Sequence, residues 1–196
     1  MSTIQEKLFE SLCEGLVGYA TYESRSGMGP AMSELVFYMP TLRIANHLDW
    51  KSRVEFGATE PEKGRGDRPR VDFALTRGTE ASGKCGVVIE MKWEPKLELR
   101  HKRFILSESE WDKFKSLGST ADKKVIQNYS AWQVVLGRKT DLTAASTRKP
   151  KQMVNPEDIG LHRKSSGEDF PLVKSFQTNA GLGYFCNAYR VMNIDL

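Results

Sequence analysis

Cysteine and histidine are scarce in this sequence of 196 residues, which contains three of each. The cysteines Cys13, Cys85 and Cys186 are widely spaced, and no CxxC or CxxxxC pair is present to hold zinc. A disulfide framework is therefore not expected, and a reducing compartment fits best. The sequence also lacks an apolar run of about 18 or more residues, which a membrane-spanning helix needs, and a basic-then-apolar secretory signal. We therefore expect a cytoplasmic protein that has no membrane partner.

Net charge says little about the partner of the protein. Lys and Arg number 29 and Asp and Glu number 25, which gives a net charge of +4. This balance alone does not indicate a nucleic-acid-binding protein. The segments 92–103 and 138–151 are locally basic and could contact phosphate groups. On charge alone, solvated loops are the better interpretation of both segments.

The order of the predicted elements indicates a single α/β domain over residues 1–196, with a mixed central sheet flanked by helices. A first helix is predicted to begin at a capping box formed by Thr3 and Glu6. Gly15 and Gly18 are expected to weaken and end it.

A second helix is predicted over residues 33–48, where the apolar residues keep helical spacing. Pro40 is expected to kink or interrupt it, because proline lacks the amide hydrogen that a helix interior uses. A strand through residue 39, followed by a short helix from Pro40, is the alternative.

Three strands are predicted next, over residues 51–57, 69–76 and 86–93. In the second strand, Val71, Phe73 and Leu75 are expected to face away from Asp72 and Ala74. The link between the second and third strands contains two glycines and suits a hairpin.

The rest of the chain is predicted to contain two helices and two strands. The helices are expected over residues 107–117 and 119–136, the second because its apolar residues share a helical face. Residues 138–169 are polar and turn-rich, so we predict irregular structure there. Strand-like segments near 171–177 and 183–194 close the chain.

Two carboxylates and one ammonium lie on the second and third predicted strands. Glu90 and Lys92 are two residues apart, so both project from the same face of their strand. Pairing of the two strands could bring Asp72 beside Glu90, although the sequence does not reveal the register. Grouped carboxylates repel each other and lose hydration, and Mg²⁺ offsets both effects because it prefers carboxylate oxygens. The pattern is typical of a metal site; a salt-bridged surface strand is the alternative.

The segments RVDFAL at 70–75 and GVVIEMKW at 86–93 resemble the PD-(D/E)XK nuclease superfamily, which has the restriction-endonuclease-like fold. The resemblance extends loosely over residues 33–136 and implies an αβββαβ core, with an insertion after the third core strand. The proline of the family pattern is not directly before the aspartate, since Pro69 stands three positions earlier.

The resemblance also implies the roles of individual residues. It implies that Asp72 and Glu90 bind the metal and that Lys92 assists the attacking water. A further metal-binding acid on the first core helix corresponds to Glu34, with Glu55 on the first strand as the alternative.

Residues outside the strands complete the predicted site. Gln127 and Tyr129 resemble a glutamine and an aromatic residue that often follow the third strand in the family. They are expected to position the site and to contact nucleic acid, respectively. Lys63, Arg65 and Arg68 are candidates for phosphate contacts, although a solvated turn is the better interpretation of their loop.

The implied activity is hydrolysis of phosphodiester bonds in nucleic acid, with DNA as the expected substrate and Mg²⁺ as the cofactor, for which Mn²⁺ could substitute. A homodimer would allow cuts in both strands of a duplex, but nothing in the sequence fixes the oligomeric state. The alternative is a catalytically silent module with the nuclease fold that acts in nucleic-acid binding or protein assembly. Such a module should show no rise in melting temperature with Mg²⁺ or Mn²⁺.

Overall fold

A computed structural model describes most of the chain, in ranges separated by short gaps. The described residues are 3–28, 32–57, 70–78, 85–97, 103–119, 129–139, 155–178 and 183–194. The helices are Ile4–Arg25 (α1), Tyr38–His47 (α2) and Glu108–Ser119 (α3), and 3₁₀ turns span Glu34–Phe37 and Pro156–Asp158. The strands are Lys51–Gly57 (β1), Arg70–Arg77 (β2), Cys85–Leu97 (β3), Arg103–Leu106 (β4), Tyr129–Lys139 (β5), Gly160–Arg163 (β6), Glu168–Phe170 (β7), Leu172–Gln177 (β8) and Tyr184–Ile194 (β9).

Six of these strands form a mixed sheet in the order β1-β2-β3-β5-β9-β8. The first three pair antiparallel, β5 runs parallel to β3, and β9 and β8 continue antiparallel. A second sheet has the order β4-β6-β7. The predicted α/β class with a mixed sheet flanked by helices is confirmed, as are the predicted strand at 51–57 and the hairpin pairing of β2 with β3. None of the described helices is long and apolar enough to cross a membrane.

The large sheet separates two hydrophobic cores. On one face, α1 and α2 cover a core that includes Phe9 and Trp132, whose rings stack at a centroid distance of 3.7 Å. On the other face, α3 and the small sheet cover a core that includes Phe114 and Val88. Central strands covered on both faces need apolar residues at successive positions, which explains the continuous apolar runs of β3 and β5.

The helix predicted over residues 119–136 is wrong where the structure describes it, because Tyr129–Lys139 form the strand β5. Residues 130–137 are all buried between the two cores. A short apolar run of this kind fits either a buried helix or a buried strand, so its periodicity does not distinguish them. The adjacent β-branched residues Val134 and Val135 favour the strand. Residues 120–128 lie outside the described part of the chain.

The first helix continues past the two glycines that were expected to end it. The capping box is confirmed, since Thr3 and Glu6 each accept a hydrogen bond from the other's backbone amide. A Cβ atom at Gly15 would lie 2.5 Å from Ile44 Cδ1. Gly15 therefore permits close packing of α1 against α2 instead of ending the helix.

Pro40 lies in the first turn of α2, which begins at Tyr38. The first four amides of a helix have no partner within it, so proline breaks no hydrogen bond there. The alternative of a strand through residue 39 is wrong, because the 3₁₀ turn Glu34–Phe37 leads directly into the helix. Proline here marks the start of α2 and not a kink within it.

The irregular structure predicted over residues 138–169 is wrong in part. β6 and β7 lie in this range, and β6 pairs parallel with β4 while β7 pairs antiparallel with β6. Leu161 and Phe170 point from these strands into the core against α3. Strands of three or four residues give too short a pattern to be detected in a polar stretch. Residues 140–154 lie outside the described part.

Candidate active site

The strands β2 and β3 stop pairing next to two predicted site residues. Their register runs from Arg77 opposite Cys85 to Phe73 opposite Ile89. The next residues on the two strands are Asp72 and Glu90, and the sequence left open whether the hairpin brings them together. The structure places the Asp72 side chain against the amide of Met91, the residue after Glu90, where the described pairing of the two strands ends.

Two apolar residues of β2 on either side of Asp72 pack in different cores, although β2 pairs with β1 without a register shift. Val71 packs in the core against α3, whereas Phe73 packs in the core against α1 and α2. Residues two apart on a regular strand share a face, so the predicted alternation of Val71 with Phe73 is wrong. Asp72 lies between these two residues, and its side chain accepts a hydrogen bond from the Met91 amide of β3.

Asp72 is held by hydrogen bonds to both of its oxygens. Its Oδ2 accepts a bond of 2.6 Å from the Met91 amide, and its Oδ1 accepts a bond from the Tyr38 hydroxyl. These donors come from β3 and α2, so two separate elements fix the orientation of one carboxylate. Hydrogen bonds to a charged acceptor are stronger than bonds between neutral groups.

Glu34 binds β3 two residues beyond the Met91 amide that Asp72 binds. Its Oε1 accepts a hydrogen bond of 3.0 Å from the Trp93 amide. Amides two residues apart on a strand point to the same side, about 7 Å from each other. Glu34 and Asp72 therefore bind neighbouring amides on the open edge of β3. The alternative acid, Glu55, lies on β1, and its side chain is outside the described part.

Glu90 is buried, with 6% of its surface exposed, on the face of β3 that carries Val88. Its Oε1 accepts a hydrogen bond from the Lys113 ammonium, and its Oε2 has no partner among the described residues. Burial, together with the nearby charge of Asp72, raises the pKa of Glu90 to about 7, although the Lys113 ammonium opposes the rise. The two carboxylates are thus close enough to repel each other.

The ammonium at Glu90 belongs to Lys113 on α3, a residue that the sequence pattern missed. Burial lowers the pKa of Lys113, but the hydrogen bond and charge of Glu90 outweigh it and raise the pKa above its ordinary value. Helical spacing that turns Trp111 and Phe114 inward would have placed Lys113 at the border of the buried face. The helical spacing would not have shown which strand the Lys113 side chain contacts.

Lys92 directs its ammonium elsewhere. Its Nζ donates a hydrogen bond of 3.3 Å to the carbonyl oxygen of Ile105 on β4. The acid-x-lysine spacing therefore brings Glu90 into the site and leaves the Lys92 ammonium against the small sheet.

Gln133 is a second residue that the pattern missed. It lies opposite Glu90 in the parallel pair of β3 and β5, between Ala131 and Val135 of the core against α3. It is 1% exposed, and neither its Nε2 nor its Oε1 has a partner among the described residues. A single polar residue in an apolar strand was the signal available in the sequence. Gln133 and Glu90 are partners on adjacent strands, and both carry buried polar atoms that have no partner among the described residues, which indicates a place for a polar ligand.

Replacing Gln133 with leucine should stabilise the protein by about 1–2 kcal/mol, because its buried amide has no partner in the described part of the chain and such a group is costly. Urea unfolding would measure the change. Gln177→Leu is a matched control, since Gln177 accepts a hydrogen bond of 3.0 Å from Lys139 and donates one of 2.8 Å to Asn155. The control should lose stability. A similar loss in Gln133→Leu would show that the Gln133 amide has a partner within the protein.

The other predicted site residues are not placed by the structure. Gln127, Lys63, Arg65 and Arg68 lie outside the described residues. Tyr129 begins β5, so its predicted position on a helix is wrong, and its side chain is not described.

The donor atoms at Asp72 and Glu90 suit a divalent cation. Mg²⁺ is commonly held by one or two carboxylates together with several waters. No group of three His, Cys, Asp or Glu side chains in the described ranges is arranged to hold a metal. Within the described ranges, Glu90 Oε2 and the amide oxygen of Gln133 are acceptors that receive no hydrogen bond.

The chain matches no protein-family model, no curated protein and no solved structure. A functional assignment therefore depends on the geometry around Asp72 and Glu90 and on the resemblance of two short segments.

Proposed function

We propose that this protein is a Mg²⁺-dependent nuclease that hydrolyses phosphodiester bonds, with DNA as the expected substrate. The observation that carries the proposal is that Asp72 lies close enough to raise the pKa of Glu90, a buried carboxylate whose Oε2 has no partner among the described residues. Two carboxylates at close range are costly in a folded protein unless a cation offsets their repulsion.

The order of elements supports this proposal. The αβββαβ order of the PD-(D/E)XK core is matched by six elements in chain order, namely α2, β1, β2, β3, α3 and β5. In this assignment, β4 belongs to the proposed insertion after the third core strand. The two carboxylates lie on β2 and β3, as the resemblance implies.

Each residue of the site has a proposed role. Asp72 and Glu90 would hold the ion, and Glu34 would supply the further acid at the same edge of β3. When bound, Mg²⁺ would lower the pKa of a coordinated water and stabilise negative charge on the phosphate. Asp72 would keep its orientation as substrate binds, because Met91 and Tyr38 hold both of its oxygens.

The remaining proposed roles concern substrate contact. A lysine near the carboxylates would neutralise charge on the phosphate, and Lys92 and Lys113 are the two candidates. Lys63, Arg65, Arg68 and Tyr129 are proposed to contact nucleic acid, and Gln127 is proposed to position the site.

One observation favours a second function. The Lys113 ammonium already neutralises Glu90 without any metal ion. A catalytically silent module with the same fold, acting in nucleic-acid binding or protein assembly, would need no metal ion to balance the charge of Glu90.

A cleavage assay separates the two functions. Plasmid, linear duplex, single-stranded DNA and RNA would be incubated with Mg²⁺, Mn²⁺ or EDTA, using wild type and Glu90→Gln, which keeps the shape of the side chain and removes its charge. We expect wild type to cut only with metal and Glu90→Gln to be inactive. Wild type, but not the variant, should gain melting temperature with Mg²⁺. Full activity of Glu90→Gln, or no cutting and no metal-induced stabilisation of wild type, would contradict the proposal.

A further inference from the structure

Lys113 places its ammonium group against the proposed metal-binding carboxylates. Its Nζ donates a hydrogen bond to Glu90 Oε1. Asp72 and Glu110 are the other acids close enough to act on its charge. The ammonium therefore lies among acidic groups that a phosphodiester would have to approach in order to be cut.

Lys92 lacks this position although it shares a strand face with Glu90. Its ammonium donates to the Ile105 carbonyl at 3.3 Å, so it lies toward β4. The position on the strand fixes the face from which a side chain projects, but the terminal ammonium of a long, flexible lysine can reach a different partner.

The backbone that carries Lys113 is well anchored. Trp111 and Phe114 on the same helix are buried in the core against the sheet. Glu108 at the start of α3 accepts two hydrogen bonds from the Arg163 guanidinium of β6, of 3.1 and 2.7 Å. A lysine on a fixed helix is better placed for catalysis than one on a loose segment, because less motion must be restrained.

We propose that Lys113, and not Lys92, is the catalytic lysine of this site. The inference depends on the proposed nuclease function. In the reaction, a water oxygen forms a bond to phosphorus and loses one proton, while the bond to the leaving oxygen breaks and that oxygen gains a proton. Water is the only co-reactant. The Lys113 ammonium donates a hydrogen bond to a phosphate oxygen and stabilises the negative charge that develops there.

Three variants test this assignment. Lys113→Met, Lys92→Met and Lys115→Met each remove one charge and keep a side chain of similar length. Lys115 is the matched control, because it lies on the same helix with its ammonium 5.8 Å from the centre of the Trp111 ring. We expect Lys113→Met to lower the cleavage rate by about 100-fold or more. The fold-loss of cleavage rate in Lys92→Met should be at least about ten times smaller than in Lys113→Met. Lys115→Met should cut at the wild-type rate, and Lys113→Arg should cut faster than Lys113→Met.

A second measurement tests the contact without any cleavage. Thermal unfolding at pH 8 would compare the two lysine variants in the wild-type and Glu90→Gln backgrounds. The effect of Lys113→Met should depend on the background, because its partner is changed, whereas the effect of Lys92→Met should be the same in both. Equal effects of Lys113→Met in both backgrounds would contradict the contact.

The failures of the two proposals are distinguishable. If wild type cuts but Lys113→Met cuts equally well while Lys92→Met is inactive, the inference is overturned and the nuclease function stands. If wild type cuts no substrate, the nuclease function fails, and the catalytic role of Lys113 fails with it.

Discussion

Replacing Asp72 with asparagine should reduce metal-dependent cleavage by about 1,000-fold or more while the fold survives. Asparagine can accept the Met91 amide with its oxygen and donate its amide to the Tyr38 hydroxyl, which can also act as an acceptor. The structural hydrogen bonds are then retained, but the negative charge that would hold Mg²⁺ is lost. Cleavage rates and melting temperatures with and without Mg²⁺ would measure both effects.

Asp72→Ala is the companion variant. It removes the hydrogen bonds as well as the charge, so it should be less stable than Asp72→Asn by about 1–3 kcal/mol. The difference between the two variants isolates the structural part of the role. Wild-type cleavage by Asp72→Asn would show that this carboxylate does not take part in the chemistry.

Stability should fall by about 3 kcal/mol as the pH rises from about 4.5 to about 7, because of Glu90. The pKa of Glu90 is raised from 4.5 to about 7 by burial and by the charge of Asp72. Between these values the folded protein holds a proton that the unfolded chain has released. Raising the pH removes that proton and leaves a buried charge, so this contribution is present at low pH and lost by neutral pH.

Urea unfolding of wild type and Glu90→Gln at a series of pH values would measure this effect. Glutamine does not titrate, so the difference between the proteins cancels the contributions of other groups. Mg²⁺ should restore stability to wild type above pH 7, where Glu90 is ionised. If the free energy of unfolding changed with pH in the same way in both proteins, the pKa of Glu90 would be the same in the folded and unfolded states, and the prediction would be wrong.

The sequence predicted the two carboxylates for a simple reason. Side chains alternate along a strand, and a short link joins adjacent strands, so the local pattern showed that Asp72 and Glu90 could meet, but it did not give the register that decides whether they do. The break in pairing at Asp72 was not predictable, because it depends on where the Tyr38 hydroxyl and the Met91 amide lie in the fold.

The partners of Glu90 were beyond the reach of local pattern. Gln133 meets it through parallel pairing of strands that lie far apart in the chain, and Lys113 meets it through packing of α3 on the sheet. Neither contact produces a periodic pattern in the amino-acid sequence. The run in β5 was misassigned for a related reason, since burial on both faces removes the alternation that identifies a strand.

The two hydrogen-bonded acids at the edge of β3 affect how related sequences would diverge. Asp72 and Glu34 each bind a backbone amide, so their replacement costs stability even in a protein that cuts nothing. Glu90 and Gln133 have the opposite effect, because a buried carboxylate and a buried amide without a partner among the described residues both weaken the fold. A lineage that lost catalysis would therefore keep the two acids and exchange Glu90 and Gln133 for apolar residues. Retention of Glu90 with Gln133 would then distinguish active descendants from silent ones.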